Sequence, residues 1–203
     1  MNPLFMVDLE TTGVNLKTDE ILQIAILELR KVRGFWEPGR LYERCLGTSR
    51  QPADPFAREH MAELYAKCNQ IAAVPVDFVR KEILAFFREC GVEKLAMMTG
   101  QNASGFDLPF LVEGGYLQPS RYEGKEQVGD FHYRVYEMGG AIAFAQDVLG
   151  VSDKKALEKA AEALYPEIEL PKDRKSHDAV FDCYRQTRTL NGLIRLCGGP
   201  RGT

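Results

Sequence analysis

Three acidic stretches carry the chemistry available to this chain. Asp8 and Glu10 stand two apart at the end of a short apolar run, residues 4–8, with a turn signal at Thr11-Thr12-Gly13 behind them. On a strand, period-two geometry puts both on one face, about 6.6 Å apart along the chain. Carboxylates so spaced can straddle two metal ions about 3.5 to 4 Å apart, the arrangement of two-metal phosphodiester cleavage. A bare D-x-E is more often a pair of solvated acids, so other residues must join it.

Asp107 follows Gly100-Gln101-Asn102-Ala103-Ser104-Gly105-Phe106 and opens a helix. A carboxylate there complements the macrodipole, and the flanking Phe106, Phe110 and Leu111 imply a packed helix that holds it still. The third stretch is Ser176-His177-Asp178-Ala179-Val180-Phe181-Asp182. Five helical positions end about 140° off one face, so His177 and Asp182 cannot both point inward from one regular helix. The spacing predicts His177 in the entering loop and Asp182 one turn inside. Asp178, four before Asp182, has an adequate role as a first-turn acid and is set aside.

The elements that must position these groups read as strands first, then alternating helix and strand. Residues 20–29 are nearly continuous apolar sequence, as in a central strand covered on both faces. Residues 34–46, around Pro38-Gly39, give a turn and a third strand of a meander. Residues 55–68 carry an imperfect helical stripe at Phe56, Met61, Leu64 and Tyr65, and 76–90 a better one at Val76, Val79, Ile83, Phe86 and Phe87. A strand is expected near 94–98, a helix over 106–112 stopped by Gly114-Gly115, and the last strand over 131–135. Helices over 141–149, 154–165 and 178–196 follow, with a frayed tail at 198–203. This order predicts an α/β layer fold with a mixed sheet.

The D-x-E-T-T-G of residues 8–13, the segment 102–111 and the H-x-A-x-x-D of residues 177–182 resemble the three motifs of the DEDD exonuclease superfamily. The histidine marks its DnaQ-like branch, which includes proofreading exonuclease subunits, ribonuclease T and oligoribonuclease. The motifs fall in family order and span most of the chain. The resemblance implies a ribonuclease H-like mixed β-sheet flanked by helices, with residues 1–203 as a single exonuclease domain. It implies that Asp8, Glu10 and Asp182 hold one magnesium or manganese ion, and that Asp8 holds a second with Asp107 contributing through water. His177 is then the general base. Thr11 and Thr12 match positions beside the terminal nucleotide, and Asn102 and Phe106 match positions lining the cleft.

The implied partner is the 3′ end of single-stranded DNA or RNA, and the implied reaction is release of nucleoside monophosphates. Phe131-His132-Tyr133-Arg134 resembles a strand of oligoribonuclease, a dimeric enzyme of very short RNA, but residues 135–140 lack the hydroxyls that follow there. An oligoribonuclease-like activity is therefore the alternative and leaves room for a homodimer; a non-catalytic nucleic-acid-binding module is the third reading.

Composition narrows the rest. The hydrophobic fraction of 45% suits a globular core, and a net charge of −3 gives no global attraction to nucleic acid, so phosphate contacts must be local. Pro171-Lys172-Asp173-Arg174-Lys175, just before His177, is one candidate patch. Five scattered cysteines, never in a C-x-x-C pair, point away from a disulfide framework or zinc ribbon. No secretory signal or membrane-length apolar run is read, so a cytoplasmic protein with no membrane association is expected.

Overall fold

The computed structural model describes residues 3–52, 55–124 and 126–199. Strands β1 (Leu4–Thr11) and β2 (Ile21–Val32) are mostly apolar and mostly buried, as strands covered on both faces must be. They pair antiparallel, with Asp8 opposite Ala25 and Glu10 opposite Gln23. The chain turns from β2 into β3 (Phe35–Cys45) through Arg33 and Gly34, at φ 50° and 90°. Positive φ at both positions gives the primed hairpin turn, whose twist matches that of its strands. Pro38-Gly39 therefore makes no turn and lies inside β3. The register shifts there, and the buried Glu28 carboxylate occupies the space over Gly39, where a Cβ would meet it at 2.5 Å.

The next stretch is two short helices, α1 (Pro55–His60) and α2 (Ala62–Cys68), rather than one. Its buried stripe runs through Ala57, Met61, Tyr65 and Cys68, not through Phe56, which is 52% exposed. Helix α3 (Val76–Glu89) buries Val79, Ile83, Phe86 and Phe87, with the Phe87 ring 4.8 Å from that of Phe5 on β1. Strand β4 (Met97–Gly100) runs parallel to β1 and leads into α4 (Asp107–Glu113), which Gly114 and Gly115 end.

A small hairpin, β5 (Arg121–Glu123) and β6 (Glu126–Val128), stands outside the main sheet and was not foreseen. The last strand is β7 (Tyr136–Glu137), not residues 131–135. The ladder of β4 with β7 pairs only Thr99 with Tyr136 and Gly100 with Glu137, while buried Phe131 makes isolated bridges to Ala96 and Pro119. Three helices complete the chain: α5 (Met138–Leu149), α6 (Lys154–Leu164) and α7 (Ala179–Leu196).

The sheet order is β3-β2-β1-β4-β7, antiparallel across its first three strands and parallel across the rest. It is the mixed α/β sheet, with helices on both faces, that the sequence predicts. Phe5, Val7 and Leu9 pack toward α3 and α4, whereas Leu4 and Met6 pack toward α7. Helix α7 is seated against α6 at Gly192, where any Cβ would lie 1.8 Å from the Ala161 carbonyl oxygen. Gly198 and Gly199 do not fray: their N–H groups donate to Arg195 and Ile194 carbonyls in a Schellman closure of α7. Residues 200–203 of the expected tail lie outside the described residues. All five cysteines are free thiols, four of them buried. No helix among the described residues is long and apolar enough to cross a membrane.

Candidate active site

β1 brings Asp8 and Glu10 to the end of the sheet on the face that Met6 and Leu4 share with α7. From α7, Asp182 enters in the first turn and Gln186 one turn later. From the other side, Asp107 at the start of α4 accepts the Leu9 N–H at 2.9 Å, which ties that carboxylate to the strand between Asp8 and Glu10. Four carboxylates from three elements thus gather about the C-terminal half of β1, the middle strand of the sheet.

His177 occupies the position that helical geometry demands. It lies in the loop before α7, with Asp178 as the N-cap accepting from Val180 and Phe181 N–H groups. Its φ is +68°, a left-handed conformation uncommon outside glycine, and its own N–H donates to Asp182 at 3.0 Å. Donor atoms of Glu10, His177 and Asp182 all lie within 4.8 Å of one another. The His177 ring touches Phe56 edge-on, centroids 4.9 Å apart, and His60 at 5.4 Å.

Burial pushes the Asp8 carboxyl well above its ordinary value, and the charges of Asp107, Asp182 and Glu10 push it further against a hydrogen bond from Gln186. Burial, then Asp182, Asp178 and Asp107, raises Glu10 to about 8. Asp107 also rises to about 8, chiefly through burial, opposed by the Leu9 N–H. Among the described residues, Arg185 is the one cation bonded to these four carboxylates: it pairs with Asp182 at 2.9 Å. The donor set suits a hard divalent ion. It is oxygen-rich, buried and left short of positive charge by the protein itself.

The remaining sequence-derived positions are less free than their residue types suggest. The Thr12 N–H donates to Glu20 O, and its hydroxyl accepts from Glu20 N–H and lies 3.3 Å from Asp19. The Thr11 hydroxyl donates to Gly13 O at 2.6 Å. Both threonines therefore brace the turn after β1. Asn102, exposed and at φ 62°, uses its carbonyl to accept the N–H groups of Gly105 and Phe106 and so shapes the entry to α4. Phe106 is half-buried, its ring 5.0 Å from Phe110.

Sequence reasoning missed several members of the site. Gln186 donates to Asp8 at 2.7 Å and accepts the Gln101 N–H at 2.9 Å, joining α7, β1 and the loop before α4. Its spacing of four from Asp182 was the available signal. Arg185 and His60 had none, because only folding places them here; Arg174 was expected in a phosphate patch and Phe56 on a core stripe, and folding gives both another place.

No protein-family model matches the chain, and no curated protein matches it. Solved structures do. The crystal structure of cell-death related nuclease 4 (CRN-4) superposes with a TM-score of 0.62 at 13% identity, covering 96% of this chain and 64% of that one. Exonuclease X, in complex with 5′ overhanging duplex DNA, superposes with a TM-score of 0.55 at 16% identity, covering 97% of this chain and 94% of that one. The chain thus spans under two thirds of the CRN-4 chain and nearly all of Exonuclease X. At such identities the likeness is one of fold, a mixed α/β sheet flanked by helices of the ribonuclease H-like kind, shared with these two nuclease structures.

Proposed function

We propose that the chain is a metal-dependent 3′→5′ exonuclease, one catalytic domain that releases nucleoside monophosphates from single-stranded DNA or RNA ends. The observation that carries this reading is the grouping of Glu10, His177 and Asp182 within ligand reach of one another, with Asp8 and Asp107 beside them and three of the four carboxyls pushed upward, chiefly by burial. Frame residues are normally paired; this cluster is built to be completed by cations.

Asp8, Glu10 and Asp182 would hold one magnesium or manganese ion, and Asp8 with Asp107 a second. Bound there, two such ions supply an acidified water and charge stabilisation at the attacking and leaving oxygens. The protein's own residues do the rest. Gln186 orients Asp8, the Leu9 N–H orients Asp107, and His177 accepts the proton of the attacking water. Imidazole is the side chain suited to that proton transfer near neutral pH. Thr11, Thr12, Asn102 and Phe106 line the approach of the terminal nucleotide, the threonines through the turn they brace and Phe106 through its open face.

The test is hydrolysis of 5′-labelled substrates with magnesium or manganese: single-stranded DNA, single-stranded RNA and a dinucleotide. Exonuclease X is seen with 5′ overhanging duplex DNA, which makes that a fourth substrate to include. A ladder shortening from the 3′ end is expected, and it disappears with a chelator. Preference for the dinucleotide would favour the oligoribonuclease-like reading, to which half-exposed Tyr133, with Arg134 over its ring, would then contribute. Binding without any shortening would leave a nucleic-acid-binding module instead.

A further inference from the structure

The loop that carries His177 has no secondary structure of its own, and its left-handed backbone at φ +68° needs outside support. We propose that Arg174 is a positioning residue: its guanidinium spans the loop and fixes the direction in which His177 meets the carboxylates. The proposal rests on His177 being the base, as argued above.

The geometry is specific. Arg174 donates to both carboxylate oxygens of Glu43 on β3, each at 2.8 Å, and to both oxygens of Asp178 at 3.1 and 3.2 Å. Asp178 is the residue after His177 and the N-cap of α7, so Arg174 closes a ring of chain with His177 inside it. Behind this ring lies Gln23 of β2, fully buried. It donates to Glu43 at 2.9 Å and lies 3.5 Å from Asp178, and its oxygen accepts the Ala179 N–H at 2.9 Å. Two strands of the sheet therefore grip both sides of His177 through one guanidinium and one amide.

A planar guanidinium takes Glu43 with both Nη groups while Nη1 also reaches Asp178; the single ammonium of a lysine cannot reproduce that fork. Both of its Nη groups are engaged by Glu43 and Asp178, which is the bonding of a residue that positions the loop.

The experiment is a double-mutant cycle read in steady-state turnover of a 5′-labelled oligonucleotide. Arg174→Gln should lower kcat by about 10- to 100-fold, the size typical of losing a group that orients a site residue, with KM unchanged. Arg174→Lys should not rescue it. In a His177→Ala background, Arg174→Gln should change kcat no further. Equal losses in both backgrounds, or a raised KM with normal kcat, would overturn the proposal. The reading beneath it fails separately: an unimpaired His177→Ala removes the base. If Arg174→Gln does not fold by circular dichroism, the isosteric Glu43→Gln is read in the same cycle, with the same two outcomes.

Discussion

Two sets of carboxylates flank the start of α7, one half-buried and one more deeply placed, and they are treated in opposite ways. Glu43 and Asp178 meet Arg174 and Gln23. Burial alone would raise the Glu43 carboxyl, but hydrogen bonds from Arg174 and Gln23 and the nearby Lys67 hold it below its usual value. A few residues away, Asp8, Glu10 and Asp107 have comparable or greater burial and no cation, and all three are raised. The residue types are the same, yet one set braces the frame and the other is left without a cation. Since an unpaired buried charge is expensive and is ordinarily neutralised or paired, the unpaired set is where the proposed reading puts the cations.

Removing one of the unpaired acids should give the largest effect and separate activity from stability. Asp8→Asn should abolish turnover while raising the melting temperature of the metal-free protein, because one source of repulsion is gone. A lower melting temperature in chelator would contradict the electrostatic account of the cluster. His177→Ala comes next. It should lower kcat by about 10² to 10⁴ while leaving metal-induced stabilisation in place, measured by single-turnover kinetics and thermal melts with manganese.

The paired set should respond in the reverse sense. Arg174→Ala leaves Glu43 and Asp178 without their main partner, and unfolding by urea should show a loss of about 1 to 3 kcal/mol. An unaltered unfolding midpoint would show that the network does not brace the frame. The gentlest probe is pH. Glu10 and Asp107 have folded values near 8 against ordinary values of 4.5 and 3.8, so they stay protonated in the folded state while the unfolded chain ionises. Their contribution is fully present below about pH 4 and is lost as pH rises toward 8. Metal-free protein should therefore melt progressively lower from pH 5 to pH 8, and the stabilisation by magnesium or manganese should grow over the same range. A metal shift that shrinks with rising pH would count against the cluster as the binding site.

Much of the candidate site was legible because its signals are local. The period-two placement of Asp8 and Glu10 needs only a strand, and the 140° misfit between His177 and Asp182 needs only a helix; both readings agree with where the structure puts these residues. The order of strands and helices was legible for the same reason, since apolar runs and stripes declare themselves over short windows. Errors arose where pairing partners decide the outcome. Residues 131–135 look like a strand by composition, but β4 offers its ladder to Tyr136 and Glu137. Phe56 was placed on a helical stripe, yet it stands five positions before Met61, about 140° off that face, and meets His177 instead. Asp178 was read as a first-turn acid and proves to be both cap and half of the Arg174 clamp.

By itself the sequence determined which side chains could do the chemistry and the local backbone that would carry them, because spacing along a strand or helix fixes direction without reference to the rest of the molecule. Only the tertiary structure decided which acids would be paired. Arg174 and Glu43 are 131 residues apart, and Gln186 and Asp8 are 178 apart; no local pattern links them. Charge compensation is a property of what lies within a few ångströms in space, and it separates a brace from a site.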